Sequence, residues 1–514
     1  MFSTITSGGI HGIESIITQV EVDISKTLPS FDMVGMLSSE VREAKERVRV
    51  ALRNTGIQIP PVHITVNISP ANIRKEGTAY DLPIAVGILV ALGYISEEAV
   101  KNHCIIGELG LNGEIRGVRG ILPIVQMAAK HNIKTILLPS ENATEGGVIR
   151  EIQVIGISHF SEVLQYFQSP TSSTITPTQI NIQELLQTQD DLCDDFSDII
   201  GQESCKRAAL IAAAGFHHML ISGPPGAGKT MIAKRIAGIL PALSLEECLE
   251  VSSIYSVAGL LDKENHLITS RPFLSPHHTT TATTLSGGGL NPKPGIFSLS
   301  HRGVLFLDEL PEFNKECIEV MRQPLEEKKI QIARMGGTYS YPSDFMLIAA
   351  CNPCPCGYYP NREKCHCTAN EIRRYQNKIS GPIRDRIDIH VVAEMIDIKT
   401  LHTNPKCLDS KTMRSIVIKA RKRQEHRFKG SSLRFNSDIS SKDIQKYCPL
   451  GDKEMKYMES VFYSMNLSAR SYHKVLKVAR TIADIENAEN IQISHLTEAI
   501  CYRIQEEVST IVSN

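Results

Sequence analysis

Residues 220–230 read Leu220-Ile221-Ser222-Gly223-Pro224-Pro225-Gly226-Ala227-Gly228-Lys229-Thr230, an apolar run that breaks into glycines and ends on Lys-Thr. The pattern is G-x-x-x-x-G-K-[ST], a phosphate-binding loop. Its surroundings agree: Met219 to Ile221 predicts a short buried strand, and Met231 to Gly238 predicts a helix opening directly after the glycines. Glycines let backbone N–H groups approach phosphate oxygens, and the following helix adds its positive N-terminal end. Lys229 offers a point charge to the outer phosphates and Thr230 a hydroxyl to Mg²⁺. Gly223, Pro224, Pro225, Gly226, Ala227 and Gly228 form the rest of the expected ATP cradle.

Hydrolysis also needs a metal anchor and a water-positioning base. Val304-Leu305-Phe306-Leu307-Asp308-Glu309 is a continuous apolar run ending in two acids, as a buried parallel strand with ligand groups at its carboxyl end reads. Asp308 is the expected Mg²⁺ ligand and Glu309 the group that polarises water. Phe345 to Cys351 predicts another buried strand, ending in Asn352 at a position to hydrogen-bond the attacking water. Past the turn Ser380-Gly381-Pro382, Arg386 is the expected arginine finger reaching a neighbouring subunit's nucleotide, with Arg384 the alternative. Arg470, at the start of the helix that carries Val475, Val478 and Ile482 on one face, is the candidate lid arginine.

The rest of the chain is arranged around this core. Its 514 residues suggest roughly three or four domains. At 42% hydrophobic, 22% charged and net charge −1, the composition is that of an ordinary globular chain and does not by itself announce a nucleic-acid binder. The N-terminus lacks the basic and apolar regions of a signal peptide, and the longest apolar run, Ile84 to Leu92, is too short to span a bilayer. A cytoplasmic protein with no membrane partner is expected, whose thirteen cysteines are buried, metal-binding or reactive rather than paired.

Residues 1–167 read as an α+β domain. Val20, Val22 and Ile24, and Val62, Ile64, Val66 and Ile68, alternate as in half-buried strands, while Val41, Ala44, Val48 and Leu52 share a helical face. The stretch Arg74 to Pro83, followed by Gly107-Glu108-Leu109 and Asn112 to Pro123, resembles the Lon-protease-type domain, related in fold to ribosomal protein S5. Proteases of that type need a Ser nucleophile and an activating Lys. Here Ala79 and Leu122 occupy those positions, with Ser69 and Lys75 nearby, so a docking or regulatory platform is expected. Residues 168–192, polar and proline-interrupted, read as a linker. The core, 193–400, opens on Asp195-x-x-x-Ile199-x-Gly201-Gln202, an entry resembling AAA+ modules that makes Ile199 and Ile200 candidate adenine contacts; Ser204 is the expected cap of the next helix. Residues 401–514 read as a helical lid, whose basic run Lys419 to Arg423 suits a solvated helix face, with nucleic-acid contact the alternative.

Within the core, residues 245–300 form a long insertion, rich in Pro and Gly between Arg271 and Gly295, and suited to a protrusion lining a ring's pore. Adjacent His277 and His278 should point apart, and with no acid or cysteine near them in sequence they do not read as metal ligands. A second pore candidate is the hairpin from Lys328 to Pro342, where Lys328, Lys329, Arg334, Tyr339 and Tyr341 suit phosphate contact and base stacking. Cys354, Cys356, Cys365 and Cys367 make two close pairs that could hold one tetrahedral Zn²⁺.

Taken with Asp-Glu-Leu-Pro-Glu-Phe at 308–313, Ala-Cys-Asn-Pro-Cys-Pro-Cys-Gly at 350–357 and Leu-Ser-Ala-Arg at 467–470, the chain resembles the ComM/YifB family of magnesium-chelatase-like AAA+ proteins over nearly its full length. The resemblance implies an α/β P-loop ATPase core with a helical C-terminal lid, behind the Lon-like α+β domain. It also implies a homo-hexameric ring motor, related to magnesium-chelatase ATPase subunits and MCM helicases, that uses ATP and Mg²⁺ to drive DNA branch migration in recombination during natural transformation. Ile383-Arg384 stands where the family usually has two leucines.

Overall fold

The computed structural model describes residues 1–168, 175–187, 194–261, 266–289, 291–334, 337–395 and 408–511, with side chains of the last helix described to Arg503. Alternating apolar residues produce the expected strands of the first region, and the helices Ala44–Asn54, Asp81–Ala91 and Ile121–Lys130 pack on them. Its seven-stranded mixed sheet runs, in spatial order, Ser30–Val34, His63–Ser69, Glu14–Ser25, Phe2–His11, His103–Ile105, Thr135–Pro139 and Gln153–Ile157. Val20, Val22, Ile64, Val66 and Ile68 are buried on one face with Val41, Ala44, Val48 and Leu52. Those four come from two consecutive helices, Ser39–Arg42 and Ala44–Asn54. Ala79 and Leu122 lie in one apolar cluster, where a Ser-Lys pair would have to stand. Lys75 Nζ donates to the carbonyls of Pro70 and Ile73, and Ser69 Oγ to that of Gln19.

The second sheet has five parallel strands in the order Phe273–Leu274, Val304–Leu307, Met346–Cys351, Met219–Ser222 and Ile389–Val392. Continuous apolar runs form its central strands because helices cover both faces. Helices Glu203–Gly215 and Lys229–Ile239 cover one face, in a single core with Val475, Val478 and Ile482 of the C-terminal helix Ala469–Ile485. The C-terminal helices therefore share the ATPase core.

Several local expectations change. Gln202, in the left-handed conformation, precedes the helix Glu203–Gly215, and Ser204 lies within its first turn. The stretch 175–187 is docked: Ile175 packs on the first domain's core, and Ile180, Ile182, Leu185 and Leu186 pack with Leu243 and Val251. These apolar residues, not the prolines and threonines, decide its placement; the first part of the expected linker, 169–174, lies outside the described residues. The insertion opens as a 14-residue helix, Leu245–Ala258, with a Ser244/Glu247 capping box, and contributes Phe273–Leu274 to the core sheet. That helix receives the first domain: Gly120 N donates to Ser256 O at 3.1 Å, and Ser256 Oγ donates to the buried Glu145 at 2.5 Å.

The hairpin forms from Lys329–Arg334 and Gly337–Pro342, with its tip at 335–336 outside the described residues. Alternation turns both tyrosines inward. Tyr341 is fully buried and donates to Pro292 O at 2.6 Å, and Tyr339 is buried against His11 of the first domain, ring centroids 4.6 Å apart. Neither can stack on a base. Lys328 is tied to Asp344 and Asp438, leaving Lys329 and Arg334 exposed. Arg421 is likewise not on the solvated face expected of the basic run: it is buried, its guanidinium 3.7 Å from the ring centroid of Phe435.

Candidate nucleotide-hydrolysis site

The phosphate loop joins the strand Met219–Ser222 to the helix Lys229–Ile239. Gly226 and Gly228 have φ of 79° and 82°, and a Cβ built on either meets nothing within 4 Å. The loop therefore encloses an open cradle at a helix N-terminus, the geometry that takes a phosphate. Lys229 Nζ donates to Gly223 O at 2.7 Å, Pro224 O at 3.0 Å and Asn352 Oδ1 at 3.1 Å. Burial lowers the pKa of this ammonium, and the charges of Asp308 and Glu309 oppose the shift. Thr230 Oγ1 donates to Asp308 Oδ2 at 2.8 Å, so two hard oxygen donors from different elements already meet, a set that fits Mg²⁺.

The strand order explains the convergence. Parallel strands deliver their carboxyl ends to one edge, and the loop, Asp308, Glu309 and Asn352 each follow one of three neighbouring strands there. Glu309 adopts φ of 50°, and its N–H donates to Asp308 Oδ1 at 2.9 Å. That turn separates the two carboxylates, leaving Asp308 on Thr230 while Glu309 Oε2 lies 3.8 Å from His278 Nδ1. The two histidines, expected to diverge, have ring centroids 4.0 Å apart. Sequence reasoning missed His278 as a site residue; the available signal was Phe273-Leu274, a half-buried edge strand whose carboxyl end leads to this same edge. Gln202 Nε2 donates to Ala227 O at 3.0 Å and Glu394 O at 2.6 Å, tying the entry segment to the loop. Beside it, Ile199 is buried in the core and Ile200 only half-buried.

Sequence comparison agrees with this architecture. Models described as "Magnesium chelatase, subunit ChlI", "Subunit ChlI of Mg-chelatase" and "Magnesium chelatase, subunit ChlI C-terminal" match residues 195–401, 20–142 and 408–503. The competence protein ComM of Haemophilus influenzae is 36% identical over 504 residues, covering 98% of this chain and 97% of that protein. The YifB protein of Salmonella typhimurium is 39% identical over 494 residues, covering 96% and 95%. The chain belongs to the ComM/YifB family of magnesium-chelatase-like AAA+ proteins. A shorter match, 38% over 93 residues, is to the DNA repair protein RadA of Listeria monocytogenes, covering 18% of this chain and 20% of that protein.

In this ComM/YifB chain the two candidate arginines lie elsewhere. Arg386 and Arg470 line one cavity of about 450 Å³ together with His218, Phe345 and Asp388, residues that precede three of the parallel strands. The cavity is thus at the opposite end of the sheet from the phosphate loop. Arg386 pairs with Glu326 and donates to Pro382 O at 2.5 Å, while Arg470 is exposed in the first turn of its helix. Arg384, the alternative finger, instead lines a cavity of about 860 Å³ with Gly223, Pro224 and Asn352. Among the described residues, no helix is long and apolar enough to cross a membrane.

Proposed function

We propose that this AAA+ ATPase is a ring motor acting on DNA, with Mg-ATP hydrolysis carried by Lys229, Thr230, Asp308, Glu309 and Asn352. The observation that carries the reading is the split of the site. Phosphate loop, metal-anchoring acid and water-positioning groups meet at one sheet edge, while Arg386 and Arg470 stand at the other. Two copies set edge to end place the arginines of one at the nucleotide of the next, and a closed homo-hexamer satisfies every such contact.

In that assembly the loop N–H groups and Lys229 bind the phosphates, and Glu309 orients and deprotonates water. Asn352, freed from Lys229, holds the same water, and Arg386 of the next copy neutralises charge on the outer phosphate. Thr230 and Asp308 would hold Mg²⁺, which would supply further charge neutralisation. Ile200, beside the loop, takes the adenine.

DNA as the track is supported by the names of two relatives, a competence protein and a DNA repair protein, and by the exposed Lys329 and Arg334 on the hairpin. Branch migration during recombination or transformation is the form of this activity we favour. The magnesium-chelatase family models support a second reading, an ATPase subunit that remodels a chelatase-like protein partner.

ATP hydrolysis with Mg²⁺, measured alone and with single-stranded, duplex or forked DNA over a salt series, tests the choice. Stimulation that fades with salt and is absent in Lys229→Ala is expected for a motor on the phosphate backbone. Indifference to every DNA moves the reading to the protein partner.

A further inference from the structure

The segment from Pro353 to Cys367 contains no helix or strand, and it has almost no apolar core of its own. Its buried side chains are Cys354 and Cys365, joined by Ile372 from the following helix. A loop of this kind needs a cross-link to hold a shape. The four sulfurs of Cys354, Cys356, Cys365 and Cys367 lie within 4.8 Å of one another. Cys354 Sγ is 3.3 Å from Cys356 Sγ and 3.7 Å from Cys365 Sγ. A disulfide requires about 2.05 Å, and all four are free thiols. Four thiolates held tetrahedrally at about 2.3 Å from one zinc ion stand about 3.8 Å apart, which is the size of this cluster. Soft sulfur donors disfavour Mg²⁺ and Ca²⁺, and a full set of four leaves no open position for catalysis. Tyr359 N–H donates to Cys354 Sγ at 3.4 Å, an outer contact of the kind that orients a ligand sulfur.

The loop borders the nucleotide site. Cys354 follows Asn352 by two positions, and Gln376 Nε2 holds the intervening Pro353 through its carbonyl at 3.1 Å. Gly357, at φ of 86°, lies so close to the phosphate loop that an added Cβ would sit 2.6 Å from Pro225 Cδ. Tyr358, Tyr359, Pro360 and Asn361 line the same cavity as Gly223, Pro224 and Asn352.

We propose that Cys354, Cys356, Cys365 and Cys367 bind one zinc ion, and that this ion fixes the loop as a wall against Pro225, positioning the phosphate loop and Asn352 for nucleotide. The cysteines are positioning residues: the ion touches neither nucleotide nor water. Its second half rests on the nucleotide site proposed above. A consequence is that a peroxide, which takes two electrons from each pair of thiolates as a disulfide forms and is itself reduced to water, releases the zinc and weakens nucleotide binding.

The test uses the full chain purified without chelator, with elemental analysis, an absorption spectrum and titration with a fluorescent ADP analogue. One zinc per chain is expected, with no visible chromophore. Cys365→Ser should lose the zinc and bind nucleotide about tenfold more weakly. Wild-type protein stripped by a mercurial and a zinc indicator should lose nucleotide affinity in step with released zinc, and regain it with thiol and Zn²⁺; this arm serves if the variant does not fold. Lys229→Ala should keep its zinc while losing nucleotide, which separates failure of the metal site from failure of the nucleotide reading. Metal-free protein, or an iron-thiolate spectrum, overturns the zinc assignment. Zinc whose removal leaves nucleotide affinity unchanged overturns the positioning role.

Discussion

The ammonium of Lys229 is held by the side-chain oxygen of Asn352, 3.1 Å away, across two adjacent parallel strands. The same ammonium also satisfies two carbonyls of its own loop. On the nucleotide reading proposed above, an incoming phosphate competes with Asn352 for this ammonium, which would couple nucleotide binding to release of Asn352.

This exchange separates the roles of the two residues. Lys229→Ala removes the charge that meets the phosphates and is expected to abolish measurable nucleotide binding. Asn352→Ala is expected to leave nucleotide affinity within a few-fold of wild type and lower kcat by about 10²-fold, the scale of losing one polar group that acts in the transition state. Equilibrium binding beside steady-state phosphate release checks both; equal loss of affinity in the two variants contradicts the division.

Glu309→Gln is expected to retain Mg-ATP and lower kcat by about 10²–10⁴-fold, the contribution of a general base. His278, 3.8 Å from its carboxylate, should act through it. His278→Ala is expected to lower kcat with KM little changed, and to add nothing further to Glu309→Gln. A double variant slower than Glu309→Gln alone shows that the histidine has a separate role.

How far the sequence discloses the site depends on where each side chain gets its position. Asp308, Glu309 and Asn352 are legible because each ends a continuous apolar run, and a parallel sheet delivers such ends to one edge. His278 lies four residues past a two-residue strand, Phe273–Leu274, inside a Pro- and Gly-rich stretch, and that strand is too short to show a period. The hairpin tyrosines were misplaced because composition does not say which face of a strand is covered; Tyr339 packs on His11, more than 300 positions away. Arg421 looked solvated within a basic run because its cover, Phe216 and Phe435, comes from outside its helix. The thiol cluster was legible as four ligands, but its contact with Pro225 depends on folding alone.

The positions of Arg386 and Arg470 predict complementation between copies. Arg386→Ala is expected to bind nucleotide normally and to lose about 10³-fold or more in kcat, the scale for an arginine finger. Mixing it with Lys229→Ala should restore part of the hydrolysis, because some interfaces then pair an intact loop with an intact arginine. Rates that merely average the two inactive variants place the arginine's action within one chain.

The junction of the three regions predicts an acid-labile contact. Glu250, on the helix that receives the first domain, accepts from Arg302 Nε at 2.8 Å and Arg434 Nη2 at 3.3 Å, with His301 Nε2 also at 3.3 Å. Burial favours its neutral form, but the hydrogen bonds from His301 and Arg302 and the charges of Arg302 and Arg434 outweigh burial and hold its pKa at about 2, against an ordinary 4.5. A carboxylate depressed in the folded state stabilises it fully above the unfolded value and loses that contribution as pH falls through the folded one. The stabilisation is therefore present at pH 7 and decays between about 4.5 and about 2. Glu250→Gln should melt at a lower temperature than wild type at pH 7, with the gap closing as pH falls through that window. Thermal unfolding followed by circular dichroism across the range checks it; a gap independent of pH means that the loss comes from packing around Glu250 and not from its charge.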